Sequence, residues 1–280
     1  MNRATEPRVT QIFVHPIKGL TAQSVDRVIL EADVGIRGDR AFALMFEDAG
    51  GADEAIVPWM PKKHFAVQND WPGLAALDCH YDAQTDRLQV YHQGNEVFSA
   101  QTDTERDRIN HFFSDYLATL TPTEKARHPV PSPVKLVGTH TGETRYPDRQ
   151  PVHLSILSQA TLDAIGEAVG HAIDVRRFRP NVLIDGVAAW EEFNWVGREM
   201  MLGAAKIQVC APIGRCLNIE VHPDSGVRDM PLFSWLGKHF GHAKTGVVAK
   251  VLTAGSLGVG DGLQLLPQST EELYSSRQIG

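Results

Sequence analysis

The 280-residue sequence predicts an α+β fold that is rich in strands and divided into two domains. Three observations support this prediction. The first hundred residues carry short β-branched and aromatic runs separated by glycines. A helical period begins near residue 101, and six of the 16 prolines fall between residues 122 and 151. Strand and helix patterns then alternate up to residue 267.

The amino-terminal part is predicted to form a small barrel or sandwich, because its strands are short and closely punctuated by turns. A helix follows over residues 101–119, where Ile109, Phe113 and Leu117 share one face. Thr102 and Glu105 have the spacing of a capping box at its start. The predicted strands are Val9–Val14, Val25–Leu30, Ala41–Phe46 and Leu88–Tyr91.

The proline-dense stretch is predicted to be irregular and to join two domains, at residues 1–120 and 121–267, with a polar, flexible tail at 268–280. In the second domain, Ser158 is placed to cap a helix that stops at Gly170. Pro231 is predicted to open a further helix. The predicted strands are Val182–Ile184, Lys206–Cys210, Leu217–Val221, Val247–Leu252 and Leu263–Leu266.

Composition and charge exclude several classes of protein. A formal charge of −7 argues against a nucleic-acid partner bound through a basic surface. No apolar run reaches the roughly 20 residues of a membrane span, and MNRATEPR lacks the apolar core of a signal peptide. The sequence therefore predicts a cytoplasmic protein without a membrane partner. Three cysteines are an odd number and do not predict a disulfide framework.

Familiar catalytic motifs are absent from the sequence. It contains no G-x-S-x-G, H-E-x-x-H, Walker loop or C-x-x-C, and a strand pattern follows the glycines at 258, 260 and 262. We therefore expect no bound NAD and no iron–sulfur cluster, and we find no pyridoxal-phosphate domain in this chain. A redox reaction here needs an external electron source.

Cys216, in the string CAPIGRCLNIEVHPDSG, is the first candidate for chemistry. A thiolate is a soft metal ligand and a nucleophile, and the adjacent cation Arg215 favours the thiolate form. Packing as a small buried residue on a strand explains the same cysteine. Cys79 and Cys210 lie in apolar contexts that favour packing more strongly.

Clustered basic residues are the second candidate feature. The arginines of VRRFRPN, residues 175–181, are typical of a phosphate or carboxylate pocket, or else of solvated charges on alternate strand faces. The strings HPIKGL and GIRGDR place Lys18, Arg37 and Arg40 beside glycines that let the backbone approach a ligand. An exposed hairpin explains these residues equally well.

The ordered strings HPIKGL, GIRGDRAFAL, RFRPNVLIDG, GRCLNIEVHPDSGVRD and GVVAKVLTAGSLGVGDGLQLL span about residues 9 to 267. In this order they resemble the MOSC superfamily, in the form with an amino-terminal MOSC-associated β-barrel domain before a MOSC-type barrel with flanking helices. Bacterial MOSC proteins, and more distantly the mitochondrial amidoxime-reducing component, are similar. The resemblance implies binding of molybdenum as a pyranopterin (molybdopterin) cofactor.

The resemblance also implies a role for individual residues. Cys216 matches the residue that ligates the metal, and it is the implied catalytic residue. The N-terminus of the helix capped by Ser158 is a predicted phosphate seat, because free N–H groups and the helix dipole converge there. The remaining implied cofactor-binding residues are Lys18, Arg40, Arg179, Asn181 and Arg215.

Three functions follow from the resemblance. The leading one is reduction of N-hydroxylated compounds such as hydroxylamines or amidoximes, with electrons from a separate ferredoxin-type or flavin-reductase-type donor. The alternatives are sulfur transfer, with a persulfide on Cys216 fed by a separate cysteine desulfurase, and binding or delivery of the cofactor without turnover. Departures at Gly19, Ile219 and Glu220, where relatives carry serine or threonine, are expected to reshape the substrate side of the pocket.

Overall fold

A computed structural model describes residues 6–49, 55–141, 144–148 and 153–267. Within these residues, the chain forms one eight-stranded sheet, three three-stranded sheets and three α-helices, which confirms the predicted strand-rich α+β class. None of the described helices is long and apolar enough to cross a membrane.

The elements have the following bounds. The strands of the first half are β1 (Arg8–Val14), β2 (Ile17–Lys18), β3 (Gln23–Val25), β4 (Arg27–Glu31), β5 (Gly35–Ile36), β6 (Phe42–Phe46), β7 (Leu77–Asp82), β8 (Arg87–His92) and β9 (Asn95–Gln101). The strands of the second half are β10 (Val134–Gly138), β11 (Leu154–Ser158), β12 (Val182–Asp185), β13 (Glu199–Leu202), β14 (Ala205–Gly214), β15 (Lys244–Thr253), β16 (Gly255–Gly258) and β17 (Leu263–Leu265). The α-helices are α1 (Arg106–Thr119), α2 (Gln159–Val169) and α3 (Leu232–Phe240). The 3₁₀ helices are Glu47–Ala49, Lys62–His64, Pro72–Ala76, Val175–Phe178, Glu191–Trp195 and Leu217–Glu220.

Strands from both halves of the chain share sheets. The large sheet has the order β17-β13-β14-β15-β11-β12-β1-β3, so β1 lies antiparallel to β12 with Ile12 opposite Val182. Conversely, β10 pairs with β6, and β16 pairs with β4. The predicted domain boundary at residue 120 stays a prediction. Strands on its two sides are joined by backbone hydrogen bonds. The predicted tail at 268–280 lies outside the described residues.

The start of α1 differs from the prediction. The helix begins at Arg106 because the chain up to Gln101 is paired with β8 as strand β9. The predicted capping box is wrong: Thr102 Oγ1 donates to the Asp86 carboxylate, and Glu105 accepts the backbone N–H of Gln101. Cross-strand pairing thus takes Gln101, and a turn at residues 102–104, bonded to Asp86, separates the strand from the helix.

Other strand predictions need correction. The predicted strand Val25–Leu30 is two strands, β3 on β1 and β4 on β16, with Asp26 between them. β10 forms inside the stretch predicted to be irregular, and the sequence patterns did not predict β7 and β9. By contrast, α2 begins and ends as predicted: Ser158 Oγ accepts the N–H of Thr161, and Gly170 takes the left-handed conformation at φ 74°.

The segment after Cys216 is the correction that matters for the site. The predicted strand Leu217–Val221 is wrong, because residues 217–220 form a 3₁₀ turn in which the N–H of Ile219 bonds the carbonyl of Cys216. Ile219 is buried in the core between α2 and α3. The chain therefore turns sharply at Cys216 instead of continuing as a strand.

Candidate functional site

A cavity of about 430 Å³ brings together six of the seven predicted site residues. Strand β2, the start of β11 and the carboxyl end of β14 contribute to its wall, with loops 144–148 and 177–181. The six residues are Lys18, Arg40, Arg179, Asn181, Arg215 and Cys216. They come from segments as much as 198 positions apart in the chain, from Lys18 to Cys216, so the fold and not the local sequence assembles them.

Cys216 offers an exposed thiol to this cavity. It lies where β14 has ended at Gly214 and the 3₁₀ helix Leu217–Glu220 begins. The packing explanation considered for this cysteine is therefore not supported. It applies instead to Cys79, which lies in the amino-terminal core and whose thiol pKa is raised by burial to about 12.

Arg215 lines the cavity, but its guanidinium is bonded within the protein and holds the Cys216 turn in place. Its Nε donates to Thr245 Oγ1 at 2.7 Å, its Nη1 donates to the Phe178 carbonyl at 2.9 Å, and its Nη2 donates to the Thr245 carbonyl. The guanidinium also lies over the Phe178 ring, 5.2 Å from its centroid. Burial lowers the pKa of Arg215 to about 9. This arginine connects β15, the 175–178 turn and the thiol-bearing loop.

We expect Arg215→Lys to lower the free energy of unfolding by about 2 kcal/mol, because a lysine ammonium cannot serve three acceptors in a planar fork. Urea denaturation of the wild type and the variant measures this change. Arg176→Lys is the matched control, since Arg176 makes its ion pairs with Asp174 and Asp224 at the exposed surface. Equal losses of unfolding free energy in the two variants would contradict the role of Arg215 in holding the Cys216 turn.

Arg179 faces the cavity with part of its guanidinium free. The residue adopts a left-handed backbone conformation at φ 51°, immediately after the Val175–Phe178 turn. Its Nη1 donates to the Leu20 carbonyl at 2.5 Å and to Gln68 Oε1 at 3.2 Å, and its other nitrogens have no partner among the described residues. Burial, followed by repulsion from Arg40, lowers the pKa of Arg179 to about 10. The free N–H groups are available to an anionic ligand.

The three arginines of residues 175–181 thus have three different environments. Arg179 faces the cavity. Arg177 also lines it, but its guanidinium is bonded to the Glu220 carbonyl and, at 2.7 Å, to Asp229. Arg176 pairs at the surface. The predicted alternation of strand faces does not apply, because the run forms a 3₁₀ turn.

Arg40 belongs to a buried charge cluster centred on Asp39. The Asp39 carboxylate is fully buried and binds Arg40 Nη1 and, at 3.1 Å, Arg145 Nη2, and it accepts the N–H of His15 at 2.9 Å. Burial on its own raises the pKa of Asp39, but Arg40, His15 and Arg145 together outweigh it and hold that pKa well below its usual range. Burial lowers the pKa of His15 to about 3, so its imidazole is neutral at pH 7. Arg37, by contrast, pairs with Glu31 at the surface.

Asn181 acts as a structural connector. Its Oδ1 accepts the N–H and Oγ–H of Ser155, both at 3.1 Å, and its Nδ2 donates to the Phe13 carbonyl at 3.2 Å. The side chain therefore ties β1 and β11 together below the cavity wall. Its Oδ1 is fully used by Ser155, whereas only one of the two Nδ2 hydrogens is bonded within the described residues, so one N–H remains for a ligand in the cavity that the residue lines.

Ser158 is the one predicted site residue that does not line the cavity, and the predicted phosphate site at the N-terminus of α2 needs correction. Its hydroxyl donates to Glu192 Oε2 at 3.0 Å, and Thr161 Oγ1 donates to the same carboxylate. Glu192 is fully buried, so a carboxylate of the chain itself already occupies the positive N-terminus of α2. Ser158 caps the helix and does not line the cavity.

Several residues of the site carry no signal in the sequence. Lys62, at the start of a 3₁₀ helix, and Gln68, Arg145 and Asp148, from loops, line the cavity without a recognisable motif. Cys210, assigned to packing, also lines it, because a bulge between Val209 and Ala211 disrupts the β14–β15 register at this position. Only proximity in the folded chain reveals these residues.

Cationic side chains predominate in the cavity lining, and three of them, Arg40, Arg145 and Arg177, are paired with the carboxylates of Asp39 and Asp229 outside the lining. Among the described residues that line it, seven are lysine or arginine and one, Asp148, is acidic. A chain of net charge −7 thus gathers basic side chains around the exposed thiol of Cys216. Such a donor set suits an anionic ligand that also carries a soft metal.

Two sequence families cover most of the chain. The MOSC N-terminal beta barrel domain matches residues 6–126, and the MOSC domain matches residues 141–264. The chain belongs to the MOSC domain family. The cavity of this MOSC protein draws on residues from both matched regions.

Named relatives are mitochondrial proteins. Mitochondrial amidoxime reducing component 2 of Rattus norvegicus is 28% identical over 241 residues, which cover 79% of this chain and 68% of that protein. Mitochondrial amidoxime-reducing component 1 of Mus musculus is 23% identical over 233 residues, covering 79% and 67%. Among solved structures, the YUAD protein from Bacillus subtilis has a TM-score of 0.47 at 14% identity, over 95% of this chain and 98% of that one.

Proposed function

We propose that this MOSC protein binds an anionic molybdenum–pterin cofactor in the 430 Å³ cavity and reduces N-hydroxylated compounds with it. One observation carries the proposal: the exposed thiol of Cys216 shares a cavity with seven cationic side chains and one acidic one among the described residues. Similarity to proteins named for amidoxime reduction supports the class of substrate.

The side chains that line the cavity fit a molybdenum–pterin cofactor. Cys216 supplies a soft sulfur ligand for the metal, and the partner-free N–H groups of Arg179 supply donors to the anionic part. Lys18 and Arg40 add positive charge at the same wall. When bound, the cofactor supplies two-electron oxygen-atom chemistry, which no side chain of the protein can perform.

The remaining residues position these groups. Arg215 fixes the turn that presents the Cys216 thiol, and Asn181 fixes Ser155 beside it in the wall. The segment from Ala211 to Ile213 lines the cavity with apolar side chains next to that turn, and this surface excludes water from part of the ligand. Electrons reach the site from a separate donor protein of the ferredoxin or flavin-reductase type, and we place the reaction in the cytoplasm.

The test is to purify the full chain from a host that makes the cofactor, and to measure molybdenum by mass spectrometry and reduction of benzamidoxime with a reduced viologen dye. We expect about one molybdenum per chain together with turnover. Protein without metal from a cofactor-replete host would overturn the proposal, and a persulfide on Cys216 in that protein would favour sulfur transfer. Stoichiometric metal without turnover on benzamidoxime, hydroxylamines or hydroxylated bases would instead favour cofactor delivery.

A further inference from the structure

A second cavity, of about 240 Å³, lies between the two matched sequence regions. The exposed turn of Gln93 and Gly94, between β8 and β9, lies at its entrance, and the fully buried imidazole of His15 lines its interior. Pockets for drug-sized ligands begin at about 300 Å³, so this cavity suits a smaller molecule. The wall that it shares with the main cavity consists of Gln68, Arg177, Arg179 and Asn218.

His15 presents an acceptor without a donor to this second cavity. Its Nδ1 lies 3.5 Å from Asp39 Oδ1. That carboxylate is ionised at pH 7, because its charged and polar neighbours outweigh burial and hold its pKa well below the usual range. The ring hydrogen is therefore assigned to Nδ1, and Nε2 keeps its lone pair. Nε2 is buried without a hydrogen-bond partner among the described residues, so a ligand that donates to it gains a hydrogen bond without displacing one.

The shared wall supplies free donors beside this acceptor. Arg179 Nη1 donates to Gln68 Oε1 at 3.2 Å, which leaves the Gln68 Nε2 hydrogens without an acceptor among the described residues. The remaining Arg179 nitrogens also lack partners there. Burial, followed by the charge of Arg179, lowers the pKa of His15 to about 3, so this guanidinium lies near a neutral imidazole. The Asn218 carboxamide makes no hydrogen bond to a described residue and can donate or accept.

The charges of the second cavity are close to balance. Two of the three arginines in its lining are already paired, as Arg176–Asp224 and Arg177–Asp229. The other two charged residues of the described lining are Arg179 and the exposed Asp78, which have opposite signs. A flat apolar group can pack on the rest of the lining, which includes Ala22, Ala75, Ala76, Val221 and Pro223.

We infer that the second cavity binds a small neutral molecule that carries a carboxamide on an aromatic ring, separate from the ligand of the main cavity. The amide N–H₂ supplies the donor that His15 Nε2 lacks, and the amide oxygen accepts from the N–H groups of the shared wall. An analogue without the N–H₂ leaves the buried Nε2 unpaired and is bound more weakly. Binding here needs neither metal nor turnover, so it is independent of the proposed function.

The test titrates benzamide calorimetrically into the full chain, beside acetophenone, in which a methyl group of similar size replaces the amide N–H₂. We expect benzamide to bind about fivefold more tightly than acetophenone, and His15→Phe to remove most of this difference. Asn218→Leu changes a partly exposed residue and is expected to weaken benzamide binding about threefold, which tests the shared wall even if His15→Phe does not fold.

Ala76→Leu locates the binding, because Ala76 lines the second cavity and not the main one. The larger side chain occupies ligand space, and we expect benzamide binding to weaken at least about tenfold. Ala211→Leu is the matched control, since Ala211 lines only the main cavity of the two, and it is expected to leave the affinity unchanged. Wild-type protein that binds neither compound, and so holds only water in this cavity, would overturn the inference. Equal affinities for benzamide and acetophenone would overturn it as well, and so would loss of binding in Ala211→Leu but not in Ala76→Leu.

Discussion

Cys216→Ala is expected to lower the molybdenum content from about one atom per chain to less than about a tenth, and to reduce benzamidoxime turnover at least about 100-fold. The reason is chemical: Cys216 is the accessible thiol at the turn after β14, and alanine offers no donor atom to a metal. Mass spectrometry for molybdenum and a dye-coupled reductase assay measure the two effects on the same preparation.

Cys210→Ala is the matched control for this result. Cys210 is a second thiol of the same cavity, but it is half-buried on the bulge of β14, and its Sγ lies 3.4 Å from the Gln208 carbonyl oxygen. We expect this variant to keep its metal and most of its turnover. Full metal and turnover in Cys216→Ala, or equal losses in the two variants, would refute the assignment of Cys216 as the ligand.

Asp39→Asn is expected to lower the free energy of unfolding by about 3 kcal/mol, because it removes the buried negative charge that two largely buried guanidinium groups contact. The side chains of Arg40 and Arg145 are 16% and 15% exposed, and both contact Asp39 Oδ2. Urea denaturation measures the change. Glu31→Gln removes the carboxylate of the more exposed Arg37 pair and is expected to stay within about 1 kcal/mol of wild type. A loss in Asp39→Asn no larger than in this control would contradict the buried-cluster argument.

The same cluster makes stability depend on pH with a defined sign. The pKa of Asp39 is below its usual range in the folded protein, so the unfolded chain binds more protons between the folded and unfolded pKa values. The contribution of Asp39 is therefore complete above pH 4 or so, the ordinary pKa of an aspartate, and is lost as the pH falls below it. The difference between wild type and Asp39→Asn should be constant from pH 6 to 8 and shrink in acid, as unfolding curves at each pH can show.

Local features of the fold could be predicted from the sequence where their causes are local. Ser158 and Gly170 fix the two ends of α2 within a few residues of themselves, and both were correctly assigned as caps. The same Ser158 was wrongly assigned to a phosphate, because Glu192, the anion that fills this helix N-terminus, comes from 34 positions along the chain. No local pattern identifies that partner.

The segment after Cys216 shows a second limit. Alternating apolar residues over five positions fit a strand, but they fit a 3₁₀ turn as well: Ile219 is buried within the turn, and Val221 is buried directly after it. Tertiary contacts decide between the two: the Arg215 N–H bonds the Ala243 carbonyl, and Arg177 bonds the Glu220 carbonyl. The resulting turn presents the thiol to the cavity.

The sequence by itself determined the strand-rich class, the family resemblance and six residues of the cavity, because ordered motifs carry that information. Only the tertiary structure decided what each residue does. Arg215 and Asn181 are bonded to partners 26 to 168 positions away and act as braces, whereas Arg179 keeps N–H groups free for a ligand. Lys62 and Asp148 joined the site without any motif. The physical reason is that burial and hydrogen-bond partners, which divide binding residues from supporting ones, are set by segments that meet only in the folded chain.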